Sequence, residues 1–173
     1  MNSRLEEAFR RLESQDLRGG PPLERYTSEI WGFIDQKFPE FAPEWFRELT
    51  QRFRIGGADF VYPIDDERDY LGHCTVLRPS FALHCFHFGY PFPRLYEQNY
   101  FCYAEADDGN MWIFQNNTDD DPEVLFLEST AWDGGEVTTE NGLICSKVSL
   151  SQFLIYGADW RPEDEDQNGT EQD

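Results

Sequence analysis

Apolar residues recur at helical spacing from the first residues of the chain. Leu5, Ala8, Phe9 and Leu12 share one face, with Asn2 or Ser3 placed to cap it. Gly19-Gly20-Pro21-Pro22 then breaks the pattern. A second helix is expected from Thr27 or Ser28, with Ile30, Phe33, Ile34 and Phe38 on its apolar face and Pro39 as its stop. A third starts with Pro43 as its first helical residue, carries Trp45, Phe46, Leu49 and Phe53 as a stripe, and is closed by Gly56-Gly57.

From Asp59 the period changes. Short aromatic and β-branched runs (DFVYPI, HCTVL, FALHCFHF, NYFCYAEA, NMWIFQN, EVLFLEST and LICSKV) alternate with Pro, Gly and Asp, as strands and their turns do. Asp108-Gly109 is a hairpin signal, Asp119 to Pro122 a second turn and Asp133-Gly134-Gly135 a third. Ser149 is placed to cap a last short helix carrying Leu150, Phe153, Leu154 and Tyr156.

Helices first and adjacent strands afterwards predict an α+β fold: N-terminal helices, a mostly antiparallel sheet and a short C-terminal helix. The chain divides into an N-terminal helix with its Gly/Pro linker at 1–24, an α+β domain at 25–160, and an acidic tail at 161–173 that is expected to be solvated and disordered.

Charge alters this picture more than length does. Against 14 Lys and Arg stand 34 Asp and Glu, a net charge of −20, so the chain repels nucleic acid and anionic membranes and favours a basic protein partner. The distribution is one-sided: between Arg94 and Lys147 there is no cation, whereas the same stretch holds twelve carboxylates. No run is long and apolar enough to cross a bilayer, and the first residues are charged, unlike a secretory signal. With four irregularly spaced cysteines (Cys74, Cys85, Cys102 and Cys145), buried reduced thiols and a cytoplasmic location are expected.

Candidate chemistry is sparse. His73, Cys74, His84, Cys85 and His87 are the densest set of metal-ligating types, yet they lack the close Cys and His spacing of zinc sites and read as residues packed in or beside the sheet. No nucleophile elbow or phosphate-binding loop is present. The Asp-rich turns lack the spacing of a calcium loop. The expectation is a protein that binds rather than catalyses, with no metal, no cofactor and no catalytic residue. Trp112 and Trp132 are candidate aromatic anchors, and Asp119, Asp120, Asp121, Glu123 and Asp133 candidate acidic contacts. Reversing Asp119, Asp120 and Asp121 to Lys should then weaken binding with little loss of stability. The composition leaves the oligomeric state open.

The segment NYFCYAEADDGNMWIFQNNTDDDPEVLFLESTAWDGGE, followed by LICSKVSLSQFLIYGADW, resembles the C-terminal half of SMI1/KNR4-like (SUKH superfamily) domains. The likeness lies in the Asp108-Gly109-Asn110 turn, Met111 to Phe114, Asp121-Pro122-Glu123-Val124, Trp132-Asp133-Gly134 and Leu150-Ser151-Gln152-Phe153-Leu154. It implies a non-enzymatic binding domain, in bacteria mainly an immunity protein that neutralises a cognate toxin, often a nuclease. The alternatives are a regulatory scaffold, a viral relative of the same fold, or an enzyme or metal binder built around His73, His84 and His87.

Overall fold

A computed structural model describes residues 2–14, 22–65, 68–80, 82–83, 92–106, 109–116, 120–132 and 134–159, with 60–65, 68–73 and 159 described by their backbone alone. Three helices come first: α1 (Ser3–Glu13), α2 (Ser28–Lys37) and α3 (Glu44–Arg52). In α1 the side chain of Asn2 accepts a hydrogen bond from the Arg4 amide at 3.0 Å, and Leu5, Ala8, Phe9 and Leu12 are all buried. Thr27 caps α2, accepting from the Ile30 amide at 3.3 Å.

The buried face of α2 differs from the expected one. Trp31 and Ile34 point inward with Phe38 following, while Phe33 is 58% exposed. At about 100° per residue, Trp31, Ile34 and Phe38 lie on one stripe and Phe33 falls outside it. Trp31 wins the inner place because its ring stacks on Tyr26, with centroids 5.0 Å apart, and its indole Nε1–H donates to Thr50 Oγ1 at 3.2 Å. Pro43 is the residue before α3 rather than its first helical one.

Six strands follow: β1 (Asp59–Asp65), β2 (Arg68–Val76), β3 (Tyr100–Ala106), β4 (Met111–Gln115), β5 (Glu123–Leu127) and β6 (Leu143–Ser149). They form one antiparallel sheet in chain order, β1 and β6 at its ends. Pro63 sits in terminal β1, where a missing ladder donor is tolerated. A short helix, α4 (Phe92–Glu97), precedes β3. The two described residues of the FALHCFHF run, Ala82 and Leu83, are helical rather than extended. They lie in a helical turn that starts at Pro79, with the Ala82 amide bonded to Arg78 O at 2.8 Å. Phe81 and the residues after Leu83 in that run lie outside the described ones.

The β3–β4 hairpin closes through Gly109 N to Ala106 O at 2.9 Å and Ala106 N to Asn110 O at 2.8 Å. Gly109 has φ +82, a conformation that residues with a Cβ seldom adopt. On the helical side of the sheet, Phe101 pairs with Phe114 and Trp112 with Phe126. The Phe101 ring lies 4.9 Å from both Phe41 and Phe46, and Trp112 lies 4.6 Å from Phe153. The last helix, α5 (Leu150–Asp159), packs on α1 and reaches β1. The buried stripe of α1 therefore belongs to the same core as the sheet.

Two devices fix the start of α5. Ser149 and Gln152 make a reciprocal capping box at 3.3 and 3.5 Å. Asp121 accepts from both the amide and the hydroxyl of Ser151 at 2.7 Å, and Ser151 is fully buried. Tyr156, expected on the apolar face, is 48% exposed.

Candidate protein-binding groove

Where α3, α4 and the ends of β3 and β4 meet, the surface forms an open groove of about 1400 Å³. Its lining draws Glu40, Glu44 and Glu48 from the turn before α3 and from the helix itself, Glu97 and Asn99 from the end of α4 and the turn after it, and Asp120 from the β4–β5 connection. Trp45, Tyr96, Pro39 and Pro43 supply apolar lining.

The groove is built rather than incidental. Glu40 (φ 55) and Asn99 (φ 62) both adopt the left-handed conformation, uncommon for a residue with a side chain and least so for Asn. The Asn116 side-chain amide holds that backbone in place, donating to Glu40 O at 3.0 Å and Phe41 O at 2.9 Å. Asn99 in turn donates from Nδ2 to Asn116 O at 2.7 Å, and the Tyr96 hydroxyl donates to Pro39 O at 3.0 Å. The turn at 39–41 is thus tied to α4 and to the end of β4. Trp45 packs on Phe46 and Phe114, and its buried indole N–H has no hydrogen-bond partner among the described residues.

The groove's charge is unbalanced. Glu40, Glu44, Glu48 and Asp120 form no ion pair with any described residue, and Glu97 meets Arg94 at 3.2 Å on the exposed surface. The cation in the lining, Arg47, is already engaged. Its guanidinium bonds Asp35 through both terminal nitrogens, at 2.5 and 2.6 Å, donates to Ala42 O at 2.8 Å, and lies 5.3 Å from the Trp31 ring.

The residues singled out in the sequence are dispersed. Trp112 and Trp132 are 1% and 2% exposed, which corrects their expected role as surface anchors. Trp112 is held between Phe126 and Phe153, and Trp132 donates its indole N–H to Gly135 O at 3.0 Å. Asp120 lines the groove. Asp121 is committed to the start of α5, so reversing it to Lys would destabilise the fold, contrary to the expectation of little loss. Glu123 accepts from the Lys147 amide at 2.9 Å, near the outer strand β6. Asp119, Asp133, His84, Cys85 and His87 lie outside the described residues, as does the side chain of His73. Cys74 and Cys102 are buried as expected, whereas Cys145 is exposed rather than buried. Among the described residues no set of three or more His, Cys, Asp or Glu could hold a metal ion, and no helix is long and apolar enough to cross a membrane.

A smaller hollow of about 400 Å³ lies beside β2 and β3, lined by Thr75, Arg78, Glu105 and Gly109 among others. Burial raises the Glu105 carboxyl above its ordinary value. Sequence reading missed the groove beside α3. The one local signal for it was Glu44-x-x-x-Glu48, two carboxylates a helical turn apart beside Trp45.

Comparison with protein-family models, with curated proteins and with solved structures returns no match for this chain.

Proposed function

We propose that this chain is a non-enzymatic protein-binding domain of the SMI1/KNR4-like immunity type, acting in the cytoplasm by binding and neutralising a basic toxin. The observation that carries the reading is the groove whose Glu40, Glu44, Glu48 and Asp120 lack cationic partners among the described residues. Unpaired carboxylates around an aromatic lining attract a cationic surface over long range and then bury it against Trp45 and Tyr96. Inhibition follows from occlusion: the bound toxin loses access to its own anionic substrate, and nothing is turned over.

The test is capture at low salt from the source cells with wild type and with a Glu44→Lys/Glu48→Lys variant. The activity of any captured basic protein is then measured with and without a stoichiometric amount of this chain. Capture by wild type alone, with inhibition at equal molar ratio, is the expected result. A partner whose activity is untouched moves the assignment to a regulatory scaffold. Equal capture by the variant removes the groove from the mechanism.

A further inference from the structure

The acidic lining and the size of the groove together narrow what can occupy it. Small-molecule sites usually enclose about 300–1000 Å³, and this groove, at about 1400 Å³ and open to solvent, is larger. Phosphate-rich polymers are repelled by its carboxylates. A second copy of the chain would bring the same net charge of −20. A cationic polypeptide remains, and the spacing of the acids says what form it takes.

Glu44 and Glu48 are one helical turn apart on α3. At about 1.5 Å rise per residue, their backbone positions are separated by roughly 6 Å along the helix axis. Alternate side chains of an extended chain point the same way and repeat every 6.6 Å or so. We infer that the groove takes a linear, extended segment of the partner bearing Arg or Lys at alternate positions, two of which meet Glu44 and Glu48. The inference rests on the binding reading above and specifies its partner. Glu97 and Asp120, also in the lining, add carboxylates for the same segment, and the prolines with Trp45 and Tyr96 receive the aliphatic stems of its cations.

The probe is a fluorescently labelled peptide of about ten residues with three arginines at alternate positions. Its companion has the same composition with the arginines adjacent. Binding is read by anisotropy at low salt to wild type, to Glu44→Gln/Glu48→Gln, and to Glu136→Gln/Glu140→Gln, which removes the same charge from exposed residues outside the groove lining. The expected result is tighter binding of the alternating peptide, about tenfold weaker on the groove variant and within about twofold of wild type on the other. A Glu44→Asp/Glu48→Asp variant should retain most of the affinity. Equal losses on both Gln variants would show general attraction to an acidic protein and overturn the inference. If neither peptide binds, yet a basic partner protein is lost on the groove variant, the groove reads a folded surface. The linear segment is then wrong while the binding function stands.

Discussion

In the helical layer, Glu6, Glu7 and Glu13 each face arginines. Glu7 meets Arg10 at 2.6 Å and Arg11 at 3.0 Å, Glu6 meets Arg52 at 2.9 Å, and Glu13 reaches Arg54 and Arg25. The hydrogen bonds from Arg11 and then Arg10 hold the Glu7 carboxyl below its ordinary value. On the groove side of α3, Glu44 and Glu48 have no such partner among the described residues. The same residue type therefore does two jobs in neighbouring parts of one molecule. Where arginines are present, carboxylates knit α1 to α3 and to the segment after it. Where the nearby arginine, Arg47, is engaged by Asp35 instead, the field is left open to solvent and to whatever enters the groove. A third use lies between these, in which Asp121 and Glu123 satisfy backbone amides instead of cations.

The largest break in this comparison should come from Asp121→Ala. Its carboxylate serves two donors of Ser151 at the start of α5, and α5 packs on α1. Loss of an N-terminal helix cap of this kind costs about 1–2 kcal/mol. Urea unfolding should show a lower midpoint with an unchanged slope. Partner binding should survive in the folded fraction. An unaltered midpoint would mean that Ser151 finds another acceptor and that Asp121 belongs with the free carboxylates.

The structural carboxylates and the groove differed in how far the sequence exposed them. The stripe and cap of α1 are local patterns, and local patterns survive folding, so Asn2, Leu5, Phe9 and Leu12 read correctly. In α2 the chain is apolar on two sides, and only the contact of Trp31 with Tyr26 and Thr50 chooses between them. The continuous run Met111-Trp112-Ile113-Phe114 already signals a strand buried on both faces, which is where Trp112 lies. Six-residue α4 is too short to show a period. The groove combines residues from 39–51, 96–99, 116 and 120, which only tertiary packing brings together. Nothing local distinguishes Asp120 from Asp121, yet one lines the groove and the other caps a helix.

A smaller effect of opposite sign should come from Glu48→Gln. Like charges at i and i+4 on a helix destabilise it by about 0.2–0.5 kcal/mol, so relieving the Glu44–Glu48 pair should raise the unfolding midpoint slightly. The same change should weaken binding of a basic partner. Stability and affinity moving in opposite directions is what a site retained for binding predicts. A fall in both would place Glu48 with the structural carboxylates of α1.

The smallest effect concerns Glu105, a carboxylate that belongs to neither group. Burial beside β2 raises its carboxyl above the ordinary value of 4.5. As pH rises from 4.5, the unfolded chain releases this proton first while the folded chain still holds it. Folded molecules bind more protons in that window, so the contribution of Glu105 to stability declines as pH rises through its folded value. Glu105→Gln, which cannot ionise, should be indistinguishable from wild type below the unfolded value and more stable near neutrality. Urea midpoints across that range, taken for both proteins, check it. A difference that stays constant with pH would trace to the packing of the amide rather than to the charge. Glu105 would then be a polar residue near the end of β3, with no electrostatic penalty to set against the acids of the groove.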